Sequence, residues 1–168
     1  CIFHYLFEEK SAADFSRGEN GGHTCLHEAA MRGHLDIVQS LVNKGGDIYA
    51  KDNQGKSAVF YAFEGNGNGG YLDIVRYFIE ERMVDVHQKD QWGQTYLHPA
   101  TVNADRAFDV VKYLVEEKGI GINSRDNGGF TVLVKLVERY QPRTFYHLLE
   151  ERSASIIADN AGHTCLHE

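Results

Sequence analysis

Gly22-His23-Thr24-Cys25-Leu26-His27-Glu28-Ala29-Ala30 decides the reading of this chain, because the same pattern keeps coming back. It returns as Gly55-Lys56-Ser57-Ala58-Val59-Phe60-Tyr61-Ala62, and again as Gly93-Gln94-Thr95-Tyr96-Leu97-His98-Pro99-Ala100. A fainter copy is Gly129-Phe130-Thr131-Val132-Leu133-Val134, and the last is Gly162-His163-Thr164-Cys165-Leu166-His167-Glu168. Between the copies runs a second motif. Leu35-Asp36-Ile37-Val38 with Leu41-Val42 matches Leu72-Asp73-Ile74-Val75 with Phe78-Ile79, and Phe108-Asp109-Val110-Val111 with Leu114-Val115. Phe145, Leu148 and Leu149 keep the pattern in a fourth copy, and the chain opens on it with Phe3, Leu6 and Phe7.

Counted from the acidic residue before each turn, the complete units run 19–51, 52–89, 90–125 and 126–158, with lengths of 33, 38, 36 and 33 residues. Residues 1–18 read as the second half of a preceding unit and 159–168 as the start of a following one. Thr24, Ser57, Thr95, Thr131 and Thr164 stand where a hydroxyl caps a first helix. Apolar residues three and four apart give the second helix one buried stripe. Neither helix buries its stripe alone, so neighbouring units must stack into one continuous core. The turns Asp52-Asn53-Gln54-Gly55, Asp90-Gln91-Trp92-Gly93 and Asp126-Asn127-Gly128-Gly129 supply Gly and Asn for positive φ.

This arrangement resembles the ankyrin repeat, with its Asp-x-x-Gly-x-Thr-Pro-Leu-His-x-Ala start, Gly-His turn, second apolar helix and Gly-Ala-Asp hairpin. The resemblance covers essentially the whole of 1–168, and unit 19–51 carries it best, with Gly33-His34 at the turn and Gly45-Gly46-Asp47-Ile48 at the hairpin. It implies an all-α solenoid of helix-turn-helix units joined by β-hairpin loops. Two departures stand out. The motif's proline is replaced by Cys25, Ala58, Tyr96, Val132 and Cys165, and its histidine becomes Phe60 and Val134. Units 52–89 and 126–158 are therefore expected to be looser or locally repacked.

The bulk numbers agree with a binding domain and exclude other classes. Lys plus Arg is 17 against 24 Asp plus Glu, a formal charge of −7. An acidic chain without a basic stripe is a poor match for nucleic acid. No apolar run reaches the roughly 20 residues that cross a bilayer, so no membrane partner is expected within this segment. Cys1, Cys25 and Cys165 make no disulfide framework; Cys25 and Cys165 sit about four repeat spacings apart, too far to bond. A reducing, cytoplasmic setting follows. Because the chain opens on Cys1 and stops inside a motif, a slice of a longer array is expected.

Nothing in the sequence asks for catalysis, a cofactor or a metal. Cys25-Leu26-His27 and Cys165-Leu166-His167 have too few ligands and the wrong spacing for zinc. The resemblance gives His27, His98 and His167 a structural hydrogen bond to nearby backbone instead. Gly65-Asn66-Gly67-Asn68-Gly69-Gly70 formally contains a dinucleotide-type glycine pattern, but it follows a helix rather than a strand and reads as a loop insertion.

The expected function is a protein–protein interaction scaffold. The resemblance marks Asn20, His23, Asn53, Gln54, Lys56, Gln91, Gln94, Asn127 and Phe130 as tip positions. It marks Met31, Arg32, Glu64, Val102, Asn103, Glu138 and Arg139 as groove-facing. Trp92 at a hairpin tip is either a contact residue, a type enriched in hot spots, or folded back on Phe130 or Lys56. The pairs Glu8-Glu9, Glu80-Glu81, Glu116-Glu117 and Glu150-Glu151 end second helices and line into a broken acidic stripe. That stripe is either a docking face for a basic partner or a solvated face laced with ion pairs. The partner is another protein, with self-association in an assembly as one alternative. The other is that the array is a non-catalytic segment of a larger enzyme or toxin.

Overall fold

The computed structural model describes residues 22–65, 71–102, 104–151, 156, 159–162 and 164. The half unit 1–18, Asn20, residues 66–70 of the glycine-rich insertion, Asn103, Cys165 and His167 lie outside the described residues, as do Glu8-Glu9-Lys10 and Arg152.

The repeat becomes paired helices. Unit 19–51 holds α1 (Cys25–Arg32) and α2 (Leu35–Asn43), and unit 52–89 holds α3 (Ala58–Glu64) and α4 (Tyr71–Arg76). Unit 90–125 holds α5 (Leu97–Ala100) and α6 (Ala104–Lys112), and unit 126–158 holds α7 (Val132–Glu138) and α8 (Pro142–Tyr146). First helices stack in series, α1 on α3 on α5 on α7, and second helices likewise, α2 on α4 on α6 on α8. This is the all-α solenoid the repeat implied. Among the described residues the hairpin loops are turns rather than strands, and the loop at 52–55 closes with an isolated antiparallel bridge between Lys51 and Ser57.

The second-helix stripe forms the core ladder. Val38, Ile74, Val75, Phe78, Val111, Leu114 and Leu148 are fully buried, and they are the residues that recur in register in the sequence. Burying each is worth about 1.5–3 kcal/mol, and a unit obtains that burial only through its neighbours. Small residues on the first helices (Ala29, Ala30, Ala58, Ala62, Ala100) are buried as well and let α1, α3 and α5 approach closely.

The sequence did not foretell that α4, α6 and α8 each end in a turn of π-helix, at Tyr77–Glu81, Tyr113–Glu117 and His147–Glu151. An i→i+5 turn holds one more residue than an i→i+4 turn. Units 52–89 and 90–125 have that extra residue: Val38 to Asp52 is 14 positions, whereas Val75 to Asp90 and Val111 to Asp126 are each 15. In those two units the wide turn absorbs it and keeps the apolar stripe in register, whereas unit 126–158 has its π turn with the shorter spacing, Phe145 to Asp159 being 14 positions. In unit 52–89 the bond from Arg82 N–H to Tyr77 carbonyl, 3.1 Å, closes that turn.

Two local expectations need correction. Thr24 caps α1 with a reciprocal box, its hydroxyl accepting from His27 N–H at 3.4 Å while its own N–H donates to His27 Nδ1 at 3.1 Å. Ser57 and Thr131 hold the same backbone position without a side-chain cap bond, and α5 starts one residue later, with Tyr96 at the cap. The reciprocal box needs a polar partner three residues on, which Phe60 and Val134 cannot be. At the tips, positive φ belongs to Gly55, Gly93 and Gly129 (73°, 73° and 86°); among the described residues no asparagine takes it.

The two histidine-less units are repacked rather than loose. Phe60 and Val134 are both buried. Tyr96, at the family's proline position, is fully buried, stacks on Phe63 with ring centroids 4.5 Å apart and meets Phe60 at a tilt of 50° and 4.8 Å. Its hydroxyl donates to Gln88 Oε1 at 3.1 Å, so the one polar atom of the cluster is satisfied. An aromatic cluster between units 52–89 and 90–125 thus replaces a histidine network.

Candidate functional site

Each tip is built by one aspartate. Asp52 Oδ1 accepts from the N–H groups of Gln54 and Lys56 at 2.8 and 3.0 Å. Asp90 repeats this with Trp92 and Gln94 (2.9 and 2.8 Å), and Asp126 with Gly128 and Phe130 (2.9 and 2.9 Å). Burial alone would raise the Asp52 carboxyl. The Tyr61 hydroxyl, donating at 2.6 Å, and the two backbone N–H groups outweigh it and hold that carboxyl below the usual range.

The tips are tied to one another. Asn127 N–H donates to Trp92 carbonyl at 2.8 Å and Asn127 Nδ2 to Gln91 carbonyl at 3.1 Å. Gln91 Nε2 donates to Gln54 carbonyl, and Asn160 Nδ2 to Asn127 carbonyl at 3.1 Å. Gln91 and Asn127, expected at the contact surface, therefore have their amides engaged in holding the row of tips together.

His27 and His98 do what the resemblance implied. His27 is fully buried; its Nε2–H donates to the carbonyls of Ala50 (2.9 Å) and Lys56 (3.2 Å). His98 donates from Nε2 to Phe130 carbonyl at 3.2 Å and accepts Thr95 N–H at 3.2 Å. Each histidine pins a hairpin loop to a first helix. Burial holds both imidazoles below their ordinary pKa, with His23 adding to the effect at His27.

The sequence-marked positions divide accordingly. His23 packs edge-on to Tyr61 at 5.0 Å and reaches Glu28 at 3.2 Å. Arg32 is exposed and paired with Glu28, and the Met31 carbonyl accepts the Tyr71 hydroxyl at 3.0 Å. Asn53 is exposed, while Phe130 is half-buried under the Lys135 ammonium, 4.6 Å from its ring centre.

Gln54, Lys56, Trp92, Gln94 and Arg139 come together around a concavity of about 400 Å³ between the tips and the first helices of three successive units. Glu64 and Val102 line it too. Sequence reading missed three lining residues, His98, Pro99 and Lys135. A signal existed. Pro99 stands in register with Glu28, Tyr61 and Lys135 but lacks the N–H with which each of those bonds the carbonyl four residues back, so the helix starts without that bond. Here α5 has only four residues, Leu97–Ala100. The short helix, with His98 and Pro99 lining this space and Val102 just beyond its end, lies between longer neighbours. Trp92, 40% exposed, forms part of the wall with the Lys56 ammonium 5.9 Å from its ring centre. It is both partly folded back and still accessible.

On the outer face Glu80 and Glu117 are paired with cations of the neighbouring unit. Glu80 meets Lys118 at 3.3 Å and accepts the Tyr113 hydroxyl at 2.8 Å, and Glu117 meets Arg76 at 3.0 Å. Glu116 lies 3.3 Å from His147 Nε2. The Arg76 guanidinium also sits 4.3 Å from the Tyr113 ring centre. Among the described residues no three His, Cys, Asp or Glu are placed to hold a metal, and no helix is long and apolar enough to cross a membrane.

Comparison with known proteins points the same way. A family model for ankyrin repeats in three copies matches residues 1–90 and 52–126. Notch-regulated ankyrin repeat-containing protein A of Danio rerio is 35% identical over 78 residues, 45% of this chain and 66% of that protein. Ankyrin repeat domain-containing protein 63 of Homo sapiens is 45% identical over 74 residues, 44% of this chain and 19% of that protein. Alpha-latroinsectotoxin-Lt1a of Latrodectus tredecimguttatus is 30% identical over 99 residues, 59% of this chain and 6% of that protein. The chain spans just under two thirds of the first of these and far less of the others. With stacked helix pairs, aspartate-built tips and histidine pins in place over the same residues, this chain belongs to the ankyrin-repeat family.

Proposed function

We propose that this array is a protein-binding module whose contact face is the concavity between the hairpin tips and first helices of units 52–89, 90–125 and 126–158. Ankyrin repeats are protein-interaction modules in general. One observation carries the reading for this chain: five residues from tip and groove positions, Gln54, Lys56, Trp92, Gln94 and Arg139, converge on a single concavity. Its frame is rigid, because tip-to-tip hydrogen bonds and the histidine pins fix it before any partner arrives, which lowers the entropic cost of binding. It needs no cofactor. The exposed, unbonded thiol of Cys25 suits a reducing, cytoplasmic setting. The toxin match, covering 6% of that protein, supports the further reading that such an array serves as a non-catalytic part of something larger.

The test is capture from cell lysate with the intact array beside Trp92→Ala, each checked for folding by circular dichroism. A partner held by the first and lost by the second supports the face. Equal capture by both places the contact elsewhere. Capture of the array's own copies alone would replace recruitment by assembly.

A further inference from the structure

We infer that the Trp92 concavity receives an acidic peptide segment of the partner, seating an Asp or Glu side chain against Arg139 and Lys135. This rests on the binding-module reading above and specifies the partner's chemistry.

The chain as a whole is acidic, at −7, yet this wall reverses the sign. Lys56, Lys135 and Arg139 line it, against a single carboxylate, Glu64. Lys56 is already paired with Glu64. Lys135 reaches Glu138 at 3.1 Å across the helix surface, a local pair of the weak, exchangeable kind. Arg139 donates to the neutral Thr101 hydroxyl at 2.8 Å, and among the described residues no carboxylate meets it. A guanidinium has five N–H donors in a fixed fork, so Arg139 retains capacity for a carboxylate in the two-bond geometry that arginine favours.

The rest of the wall limits what accompanies that carboxylate. Pro99 and Val102 give an apolar floor and Trp92 an aromatic side, which suits the methylenes of a glutamate or an adjacent apolar residue. Cations in a concave site with such walls focus their field outward and draw an anionic segment in. On the outer face, by contrast, Glu80 and Glu117 are already paired with Lys118 and Arg76.

The experiment is selection from a library of short peptides with blocked termini, using the intact array, Arg139→Gln and Lys135→Gln, with circular dichroism to confirm folding. A thymidine oligonucleotide serves as a second polyanion. Expected is enrichment of Asp or Glu at one or more positions and an affinity that falls with added salt. Arg139→Gln should weaken a selected peptide on the order of tenfold, as loss of a charged hydrogen bond requires. Enrichment of neutral or basic residues, or retained affinity in both variants, overturns the acidic assignment and leaves the binding module standing. Tighter binding of the oligonucleotide than of any peptide overturns it in favour of nucleic acid. A second library with free C-termini runs beside it; binding from that library alone would assign the carboxylate to a chain end and overturn the internal segment. An array that selects nothing fails both readings.

Discussion

Replacing His27 by phenylalanine, the residue that stands naturally at the equivalent position 60, tests whether the histidine pins hold the repeats together. His27 is fully buried, and phenylalanine is of similar shape, so the change removes hydrogen bonds more than volume. The bond from its Nε2–H to the Ala50 carbonyl (2.9 Å) disappears, and Thr24 N–H loses the Nδ1 acceptor at 3.1 Å. The Lys56 carbonyl suffers less, because it still accepts Asp52 N–H at 3.0 Å. A buried N–H and a part-buried carbonyl left without these partners cost up to roughly 1–3 kcal/mol each, so a loss of about 2–6 kcal/mol is expected. For a chain of this size each kcal/mol moves the melting temperature by about 2–4 °C, a drop readily seen by circular dichroism or calorimetry.

The pH dependence supplies a second readout. Burial depresses the folded-state pKa of His27 and His98 below the unfolded value. Between those values the unfolded chain binds more protons than the folded one, so stability rises with pH. The contribution is fully present above the unfolded pKa near 6.5 and is lost as pH falls toward the folded pKa. His27→Phe should therefore show a shallower loss on acidification than the parent. A variant as stable as the parent, or a parent that gains stability between neutral pH and about pH 5, would refute the assignment of these imidazoles as neutral structural pins.

The tip row and the free thiol offer independent checks. Gly129→Ala places a methyl 2.6 Å from Asn160 backbone nitrogen at φ +86°, whereas Gly119→Ala, at φ +68°, meets nothing within 4 Å. Left-handed strain alone costs about 1–2 kcal/mol; urea titration should show that loss for Gly119 and a larger one for Gly129, and equal losses would argue against close stacking of tips. Cys25 is exposed and free, so an alkylating reagent should label its peptide under native conditions at a rate little changed by denaturant. Labelling seen only after unfolding would contradict its placement at the start of α1.

The fold was legible in the sequence because the same physical requirement recurs along the chain. Val38, Val75 and Val111 mark a stripe that only stacking buries, and Asp52, Asp90 and Asp126 mark tips whose backbone needs a carboxylate at that point. The resemblance to the ankyrin repeat, rather than the periodicity itself, marked the tip and groove positions, with Trp92 and Arg139 among them. It did not show that the Gln91 and Asn127 amides tie tip to tip, since that depends on the rise from one unit to the next. The π turns were hidden as well: one extra residue is visible in the count, but only packing decides whether a helix or a loop absorbs it. The concavity belonged to tertiary structure most of all. Pro99 was plain in the sequence; that its short helix lies between Lys56 of one unit and Arg139 of the next, opening a basic socket in an acidic chain, follows only from stacking. Sequence sets which groups repeat within a unit, while distances between units decide which of them meet.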